Sequence, residues 1–348
     1  MSLFIAPLSK FELEKHPNAD TLSIAKVGGW QAVVRTKDFI NETLGVYVPL
    51  DAIAAENHPL LSFLQGKKVK TCKLRGELSQ GVLLPWTKVV AHFKNDLKMS
   101  DESLTKLSFE GKDLAPVLRI KRWVDTSTKF VTGDAEAPHE KFHKYTDIEN
   151  IKNFSNIIPL GEKVHISEKL HGTSARFAYI DGKFMLGSRN IQLKLDAENK
   201  SIYHHVFEKE NLKEKLLSVR DIFGLEDAAI YGEIVGPKVQ DLKYGQTEPT
   251  LFVYDIVVDG VYVLPAALQD VAQALGLKLV PELKIGPLEE KDFELRLGKS
   301  TLDDSHIREG IVIKPILPRW DQDLGRVILK VISEDYLMRK GAKDTGDV

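Results

Sequence analysis

The run Lys163-Val164-His165-Ile166-Ser167-Glu168-Lys169-Leu170-His171-Gly172-Thr173 alternates polar and apolar residues as far as Ser167, continues through Glu168 and Lys169, then breaks at a glycine. Alternation of period two predicts a half-buried strand with Val164 and Ile166 on its core side. Lys169 then stands at a strand end facing a cavity, where burial or neighbouring cations would let a lysine act as a nucleophile. Gly172 would allow a ligand phosphate to approach the backbone closely. Taken alone, the segment also reads as a surface lysine before an ordinary turn.

The sequence around this run is that of a mixed domain. Strand-like runs span 175–180, 228–235, 251–258, 310–314 and 326–332, and helix-like periodicity spans 197–219 and 266–275. Strands and helices interspersed without strict alternation predict an α+β domain rather than a doubly wound sheet. Several of these apolar strands carry charge. Ser188-Arg189-Asn190 follows a strand, and Glu233 lies between Gly232 and Gly236. Tyr254-Asp255 interrupts an apolar run, Glu309 and Lys314 frame Gly310-Ile311-Val312-Ile313, and Arg326 and Lys330 fall on one predicted strand face. Charges inside apolar strands are costly to bury unless they are paired or bind a ligand. Each one singly could be a strand-end charge reaching solvent; in this order they form a candidate site.

Toward the amino terminus, residues 1–125 read as closely spaced short strands punctuated by Gly and Pro, a pattern of small barrels and sandwiches. The polar, aperiodic stretch 126–138 reads as a linker, so 348 residues divide into 1–125, 126–138 and 139–348. Lys and Arg total 48 and Asp and Glu 50, a formal net charge of -2, which excludes binding nucleic acid or anionic membrane by bulk positive charge. Local patches remain open: Lys67, Lys68, Lys70, Lys73 and Arg75 lie together with no acid among them and could track a phosphate backbone, or be a solvated strand. The single cysteine, Cys72, excludes an intramolecular disulfide and a multi-cysteine zinc site, and reads as a half-buried strand thiol. No stretch approaches the roughly 20 apolar residues of a membrane span. With no signal-peptide pattern, the expected setting is the cytoplasm.

The ordered set resembles the covalent lysine nucleotidyltransferases, which comprise ATP-dependent RNA and DNA ligases and mRNA capping enzymes. Arg189 and Glu233 follow Lys169 by 20 and 64 residues, in keeping with that pattern. His171 after the lysine, and Lys144-Tyr145-Thr146-Asp147-Ile148-Glu149-Asn150 before it, look like the phage RNA-repair ligases. His16-Pro17-Asn18-Ala19-Asp20, Gly28-Gly29-Trp30, Lys73-Leu74-Arg75-Gly76 and Ser79-Gln80-Gly81 are similar to the RNA ligases of the Deinococcus and Naegleria type.

That resemblance implies an α+β protein: an N-terminal OB-fold β-barrel, then an ATP-grasp-like adenylyltransferase domain of twisted antiparallel sheets flanked by helices. It implies ATP and Mg²⁺ or Mn²⁺ as cofactors, and RNA, or a nicked duplex with an RNA 3′-OH strand, as partner; a monomer is the default expectation. Lys169 would form lysyl-AMP, with Lys314 and Lys330 on the phosphates and Glu233 and Glu309 holding the metal. Tyr254 would stack on adenine, Asp255 would support the lysine's surroundings, and Glu168, His171 and Gly172 would line the nucleotide. Arg189 would contact ribose or the RNA 5′-phosphate. Related ligases carry a second lysine two residues from Lys330, where this chain has Ile328 and Ile332; Arg326 is the candidate replacement. Ser174 stands where the phage enzymes carry asparagine. A DNA-sealing ligase and a catalytically silent nucleic-acid-binding protein are the alternatives.

Overall fold

The computed structural model describes residues 4–124 and 134–339, which fall into two compact units, 4–124 with 337–339 and 134–336. The segment read as a linker lies outside the described residues as far as position 133. Beyond it, Ala135–Glu136 is already strand, paired antiparallel with Gln192–Leu193.

In the first unit, Leu8–Lys10, Leu44–Val48 and Val82–Pro85 form one antiparallel sheet, and Glu12–Lys15, Leu22–Val27 and Trp30–Arg35 form another. Val46, Val48 and Leu84 bury one face under the helix Trp86–Asn95, which contributes Val89 and Phe93. Trp30, Ala32, Val34, Phe39, Tyr47 and Leu83 make a second core. Burying such large side chains stabilises by about 1.5–3 kcal/mol each. The helices Trp86–Asn95 and Asp101–Thr105 were not expected in a region read as strands alone.

The run 69–75 also departs from expectation. Only Cys72–Leu74 is strand, all three residues are exposed, and the Cys72 thiol faces solvent instead of being half-buried. Lysines at 67, 68, 70 and 73 leave this run without an apolar face to bury, and Val69 alone turns inward. Cys72–Leu74 pairs with Glu77–Ser79 across Arg75 and Gly76, with φ of 51° and 99°. Positive φ at both central residues is the hand that matches strand twist in a two-residue hairpin. Gln31 Nε2 donates to the Leu78 carbonyl at 2.7 Å and the Val33 N–H to Ser79 Oγ at 3.0 Å, fixing the hairpin to the second sheet.

The second unit holds two larger sheets. One has seven strands in the order Ala135–Glu136, Gln192–Leu193, Lys183–Ser188, Thr173–Ile180, Ala228–Val235, Thr250–Val258, Val261–Tyr262, all antiparallel. The other has five, in the order Glu149–Asn150, Leu329–Ile332, Gly310–Pro315, Lys163–Lys169, Glu282–Pro287, with only the first pair parallel. The α+β class and the antiparallel sheets agree with the sequence reading.

Strand alternation sorts the faces. Phe177, Ile230, Leu251, Val253 and Ile256 turn to helices Ile202–Lys209, Leu212–Phe223 and Pro265–Leu275. Val164, Ile166, Ile311, Ile313, Leu329 and Val331 form the core on the far side of the smaller sheet. Between the sheets lies a third layer: Phe142, Tyr145, Ala178, Ile180, Ala229, Tyr231 and Ile328, with Tyr254 and Val312 against it. The helix expected over 197–219 is two helices, broken where Asn211 takes φ +53°. The strand expected over 326–332 is also two pieces, Gly325–Arg326 and Leu329–Ile332, so Arg326 and Lys330 do not share one strand face. Among the described residues no helix is long and apolar enough to cross a membrane.

Candidate active site

The alternation that buries Val164 and Ile166 on one face of Lys163–Lys169 leaves His165, Ser167 and Lys169 on the other. At the strand's end Lys169 Nζ donates to Glu309 Oε1 at 2.7 Å. Glu309 is only 2% exposed, and its Oε2 is buried without a hydrogen-bond partner. A buried carboxylate satisfied on one oxygen is costly in the absence of a further donor or cation. Glu233, on the adjoining sheet, supplies a second carboxylate. Among the described residues no three His, Cys, Asp or Glu side chains are gathered for a metal. Two carboxylates with an unmet oxygen suit Mg²⁺ or Mn²⁺, hard cations that keep waters and complete their shell with phosphate oxygens, and not a metal needing a full protein cage.

The turn after Lys169 is pinned at successive backbone donors. The His171 N–H goes to Tyr244 Oη at 2.8 Å and the Gly172 N–H to Glu233 Oε1 at 3.1 Å. A Cβ at position 172 would lie 2.2 Å from the Ile234 carbonyl oxygen, so only glycine lets the turn approach the Glu233 strand this closely. His171 is buried; its Nε2 lies 2.8 Å from Asp241 Oδ1, and its ring meets Tyr336 edge-on.

Between the sheets sits a charged cluster made by a bulge. Asp255 lies opposite Tyr231 and Val253 opposite Gly232, so Tyr254 is the unmatched residue. An extra residue re-aims the strand, and here Tyr254 and Asp255 both turn into the middle layer. Asp255 receives Lys314 Nζ at 2.7 Å and Arg326 Nη1 at 3.0 Å, together with the Tyr145 hydroxyl. Burial alone would push this carboxyl up, but the two cations together hold it below its ordinary value. Burial lowers the Lys314 ammonium. His165, paired across the strands with Lys314, is driven down to about 4, first by burial and then by the Lys314 charge. Burial raises the Tyr254 phenol, with Glu233 adding to the effect; Ser174 Oγ lies 2.9 Å from the Tyr254 hydroxyl. Arg189 acts electrostatically on the same phenol and pairs with Asp147.

This is a lysine facing a metal-competent carboxylate, beside an aromatic and between two antiparallel sheets. Residues 162–332 match the RNA ligase family, and residues 9–86 match an OB-fold domain. The chain carries an RNA ligase family domain. Three solved structures of the Naegleria gruberi RNA ligase align with 96% of this chain and 98% of theirs at a TM-score of 0.71. They are the enzyme with pyrophosphate and a mutant with ATP and Mn, each 24% identical to this chain, and a mutant with AMP and Mn, 22% identical. At that identity the likeness establishes a shared fold over nearly the whole chain.

Within the ligase domain the expected residues separate into groups. Lys169, Glu309, Glu233, Gly172, Tyr254 and Arg189 converge as described. Lys330 is half-buried on Leu329–Ile332, opposite Val312. Lys314, expected on the phosphates, instead gives its ammonium to Asp255 and to the Tyr254 carbonyl at 2.9 Å. Arg326 is no substitute for a second phosphate lysine. It is buried against Asp255, and its guanidinium lies 3.4 Å from the centroid of the Tyr262 ring. Glu168 alternates to the face opposite Lys169, where Oε2 accepts the Thr301 N–H at 2.8 Å and Arg308 lies beside it.

Sequence reasoning assigned no role to Asp241, Tyr244 or Tyr145. The first two sit in an aperiodic loop, and only the Gly236-Pro237 and Pro249 that frame it could have drawn attention.

In the OB-fold module Lys67, Lys70, Lys73 and Arg75 are exposed, the last three on or beside the hairpin. Lys68 is committed: its Nζ lies 2.7 Å from Asp51 and 4.3 Å from the Trp123 ring centroid. The His16–Asp20 run secures the hairpin tip. His16 Nε2 lies 3.1 Å from the Leu74 carbonyl and Asn18 Nδ2 donates to the Arg75 carbonyl at 3.0 Å.

Proposed function

We propose that this protein is an ATP-dependent ligase that joins RNA 3′-OH and 5′-phosphate ends in repair. Residues 1–125 would act as a nucleic-acid-binding OB-fold module, 126–138 as linker and 139–348 as the nucleotidyltransferase. The observation that carries this reading is the Lys169 ammonium set against a buried, half-satisfied Glu309 carboxylate, one turn from Gly172 and Glu233. The Naegleria ligase, whose structures hold ATP, AMP, pyrophosphate and Mn, supports the choice of ATP.

The chemistry follows from these groups. A free lysine has a pKa of about 10.4, so about one in two thousand is neutral at pH 7 and able to attack. Once deprotonated, Lys169 Nζ attacks the α-phosphorus of ATP; the P–N bond forms as the bond to the bridging oxygen breaks and pyrophosphate leaves. The resulting lysyl-AMP passes its adenylate to an RNA 5′-phosphate, and a 3′-hydroxyl then displaces AMP to form the phosphodiester. Such transfers depend on positioning and on neutralising phosphoryl charge. Mg²⁺ or Mn²⁺ held by Glu309 and Glu233 would supply positive charge to the phosphates and disfavour the lysine ammonium. Lys330 would supply the fixed cation nearest the α-phosphate, with Arg189 at ribose or the RNA 5′-phosphate. Tyr254 would stack on adenine. Lys314 and Asp255 would hold that tyrosine in place; a phosphate contact by Lys314 would require it to leave Asp255. Glu168 and His171 would shape the nucleotide pocket from the nucleophile's two sides. The expected setting is a monomer in the cytoplasm, acting on RNA or a nicked duplex with an RNA 3′-OH strand.

Incubation with ATP and Mg²⁺ or Mn²⁺, followed by intact mass, tests the reading. The wild type should gain one AMP, and Lys169→Arg should gain none, because guanidinium is not a usable nucleophile. An AMP adduct on Lys169→Arg would refute the assignment; no adduct on the wild type would favour a silent binding protein. Equal sealing of nicks with RNA or DNA on the 3′-OH side would defeat the RNA preference.

A further inference from the structure

The segment between Gly236 and Pro249 leaves the end of the Glu233 strand and returns at the start of the strand carrying Tyr254. Neither its length nor its composition marks it as part of the site, yet it buries Tyr244 against the nucleophile turn and sets the exposed Asp241 carboxylate beside it. Tyr244 is fully buried with φ +52°, the left-handed region that a bulky side chain rarely adopts. Such a conformation persists only when its surroundings enforce it, and it concentrates at functional sites. Its hydroxyl takes the His171 N–H at 2.8 Å, two residues from Lys169. That hydroxyl also lies within electrostatic reach of both Glu309 and Glu168. Three residues earlier on the same segment, Asp241 Oδ1 lies 2.8 Å from His171 Nε2. The His171 ring also meets Tyr336 in a T-shaped contact, with centroids 5.7 Å apart.

We propose that Asp241 and Tyr244 are positioning residues for lysine adenylylation, holding the His171 backbone and ring so that Lys169 stands at the correct reach from the α-phosphorus. The proposal rests on the ligase reading given above and extends it to residues outside the nucleotide pocket. Its physical basis is rotational. A strand end followed by a three-residue turn has free dihedrals, and a displacement near 1 Å at a reacting atom costs about a hundredfold in rate. Glu233 fixes the Gly172 N–H, one point on that turn; Tyr244 Oη and Asp241 add a second backbone point and a side-chain point. Three points define an orientation, and one does not. Neither Asp241 nor Tyr244 is assigned contact with ATP, so their loss should slow the chemical step while leaving ATP affinity nearly intact.

The experiment is single-turnover formation of the AMP adduct across ATP concentration, with the full-length chain. Tyr244→Phe and Asp241→Ala should each lower the rate at saturating ATP about tenfold, with half-saturating ATP changed less than twofold. Asp241→Asn, which keeps an oxygen for the imidazole, should recover most of the rate. The double variant His171→Ala/Asp241→Ala should be no slower than His171→Ala alone, since both changes break the same hydrogen bond. Wild-type rates in Tyr244→Phe and Asp241→Ala would overturn the proposal. So would losses confined to ATP half-saturation, or additive losses in the double variant. A wild type that forms no adduct would instead refute the ligase reading itself, so the two failures are distinguishable.

Discussion

Asp255→Asn removes the one anion in the cluster between the two sheets. Its carboxylate receives Lys314 at 2.7 Å, Arg326 at 3.0 Å and the Tyr145 hydroxyl, and all three partners are buried. The substitution conserves shape but strands two buried cations. Removing one partner of a buried pair costs about 3–5 kcal/mol, because the remaining charge has lost its compensation. Two cations would exceed that range, but the Asn carbonyl retains one acceptor and Lys314 keeps the Tyr254 carbonyl. Burial already disfavours the ammonium of Lys314, so loss of a proton there offers further relief. The expected loss is about 4 kcal/mol, about a quarter or more of the stability of an ordinary domain. With an m-value of about 2 kcal/mol per molar urea, the ligase-domain transition should move down by about 2 M. The assay is urea unfolding followed by loss of far-ultraviolet circular dichroism. Pairing Asp255→Asn with Lys314→Met should restore part of the loss by removing one stranded charge. A midpoint shift equivalent to less than about 1 kcal/mol, or a double variant weaker than the single, would refute the picture of an obligatory anion.

His165 gives a pH signature. Its folded-state value near 4 lies below the roughly 6.5 of an unfolded histidine, so between these values the unfolded chain binds a proton that the native state refuses. Stability is unaffected above about pH 6.5 and falls by about 3 kcal/mol on acidification to pH 4. His165→Gln should flatten that part of the profile when unfolding free energy is measured between pH 7.5 and 4.5. On the OB-fold module, replacing Lys70, Lys73 and Arg75 together by Gln should weaken RNA binding. It should also make the slope of log affinity against log salt shallower by about 0.7 for each phosphate no longer neutralised, if the hairpin tracks a single strand. Titration of labelled RNA at several salt concentrations measures this, and an unchanged slope would remove these residues from the interface.

What the sequence disclosed, and what it concealed, follows the range of the interactions. Lys163–Lys169 was legible because alternation is local, and the same strand's end pointed to Lys169. Glu233 and Glu309 stood out as carboxylates inside apolar runs. The partner of Lys314 was not legible, because Asp255 is 59 positions away and reaches it only through a bulge. Arg326 was misjudged for a related reason. Counting residues four apart presumes an unbroken strand, and the backbone breaks at Val327-Ile328. Asp241 and Tyr244 carry no periodicity, and their meaning depends on which turn they touch. The interruption at Asn211 is a backbone event within a run whose apolar spacing continues across it. In the amino-terminal unit, the helix Trp86–Asn95 starts at Pro85 without a side-chain cap, so the usual start signal was missing.

The unmatched Tyr254 also sets a rule about length. Leu251 and Val253 before it and Ile256 after it all face the helices, although the step from 253 to 256 is odd and plain alternation would send Ile256 to the opposite side. The strand keeps phase with its neighbour only because it carries one residue more than the ladder needs. Its constraint is therefore on count as well as on identity. Substituting Tyr254 leaves the downstream residues where they are, whereas deleting one codon at 254 or 255 restores simple alternation and leaves a single residue where two must face inward. The shortened chain could present the tyrosine or the aspartate between the sheets, but not both. For this domain, a three-base deletion at that point is more damaging than most missense changes, and variants that survive selection should conserve the spacing between Leu251 and Ile256 more strictly than the residues within it.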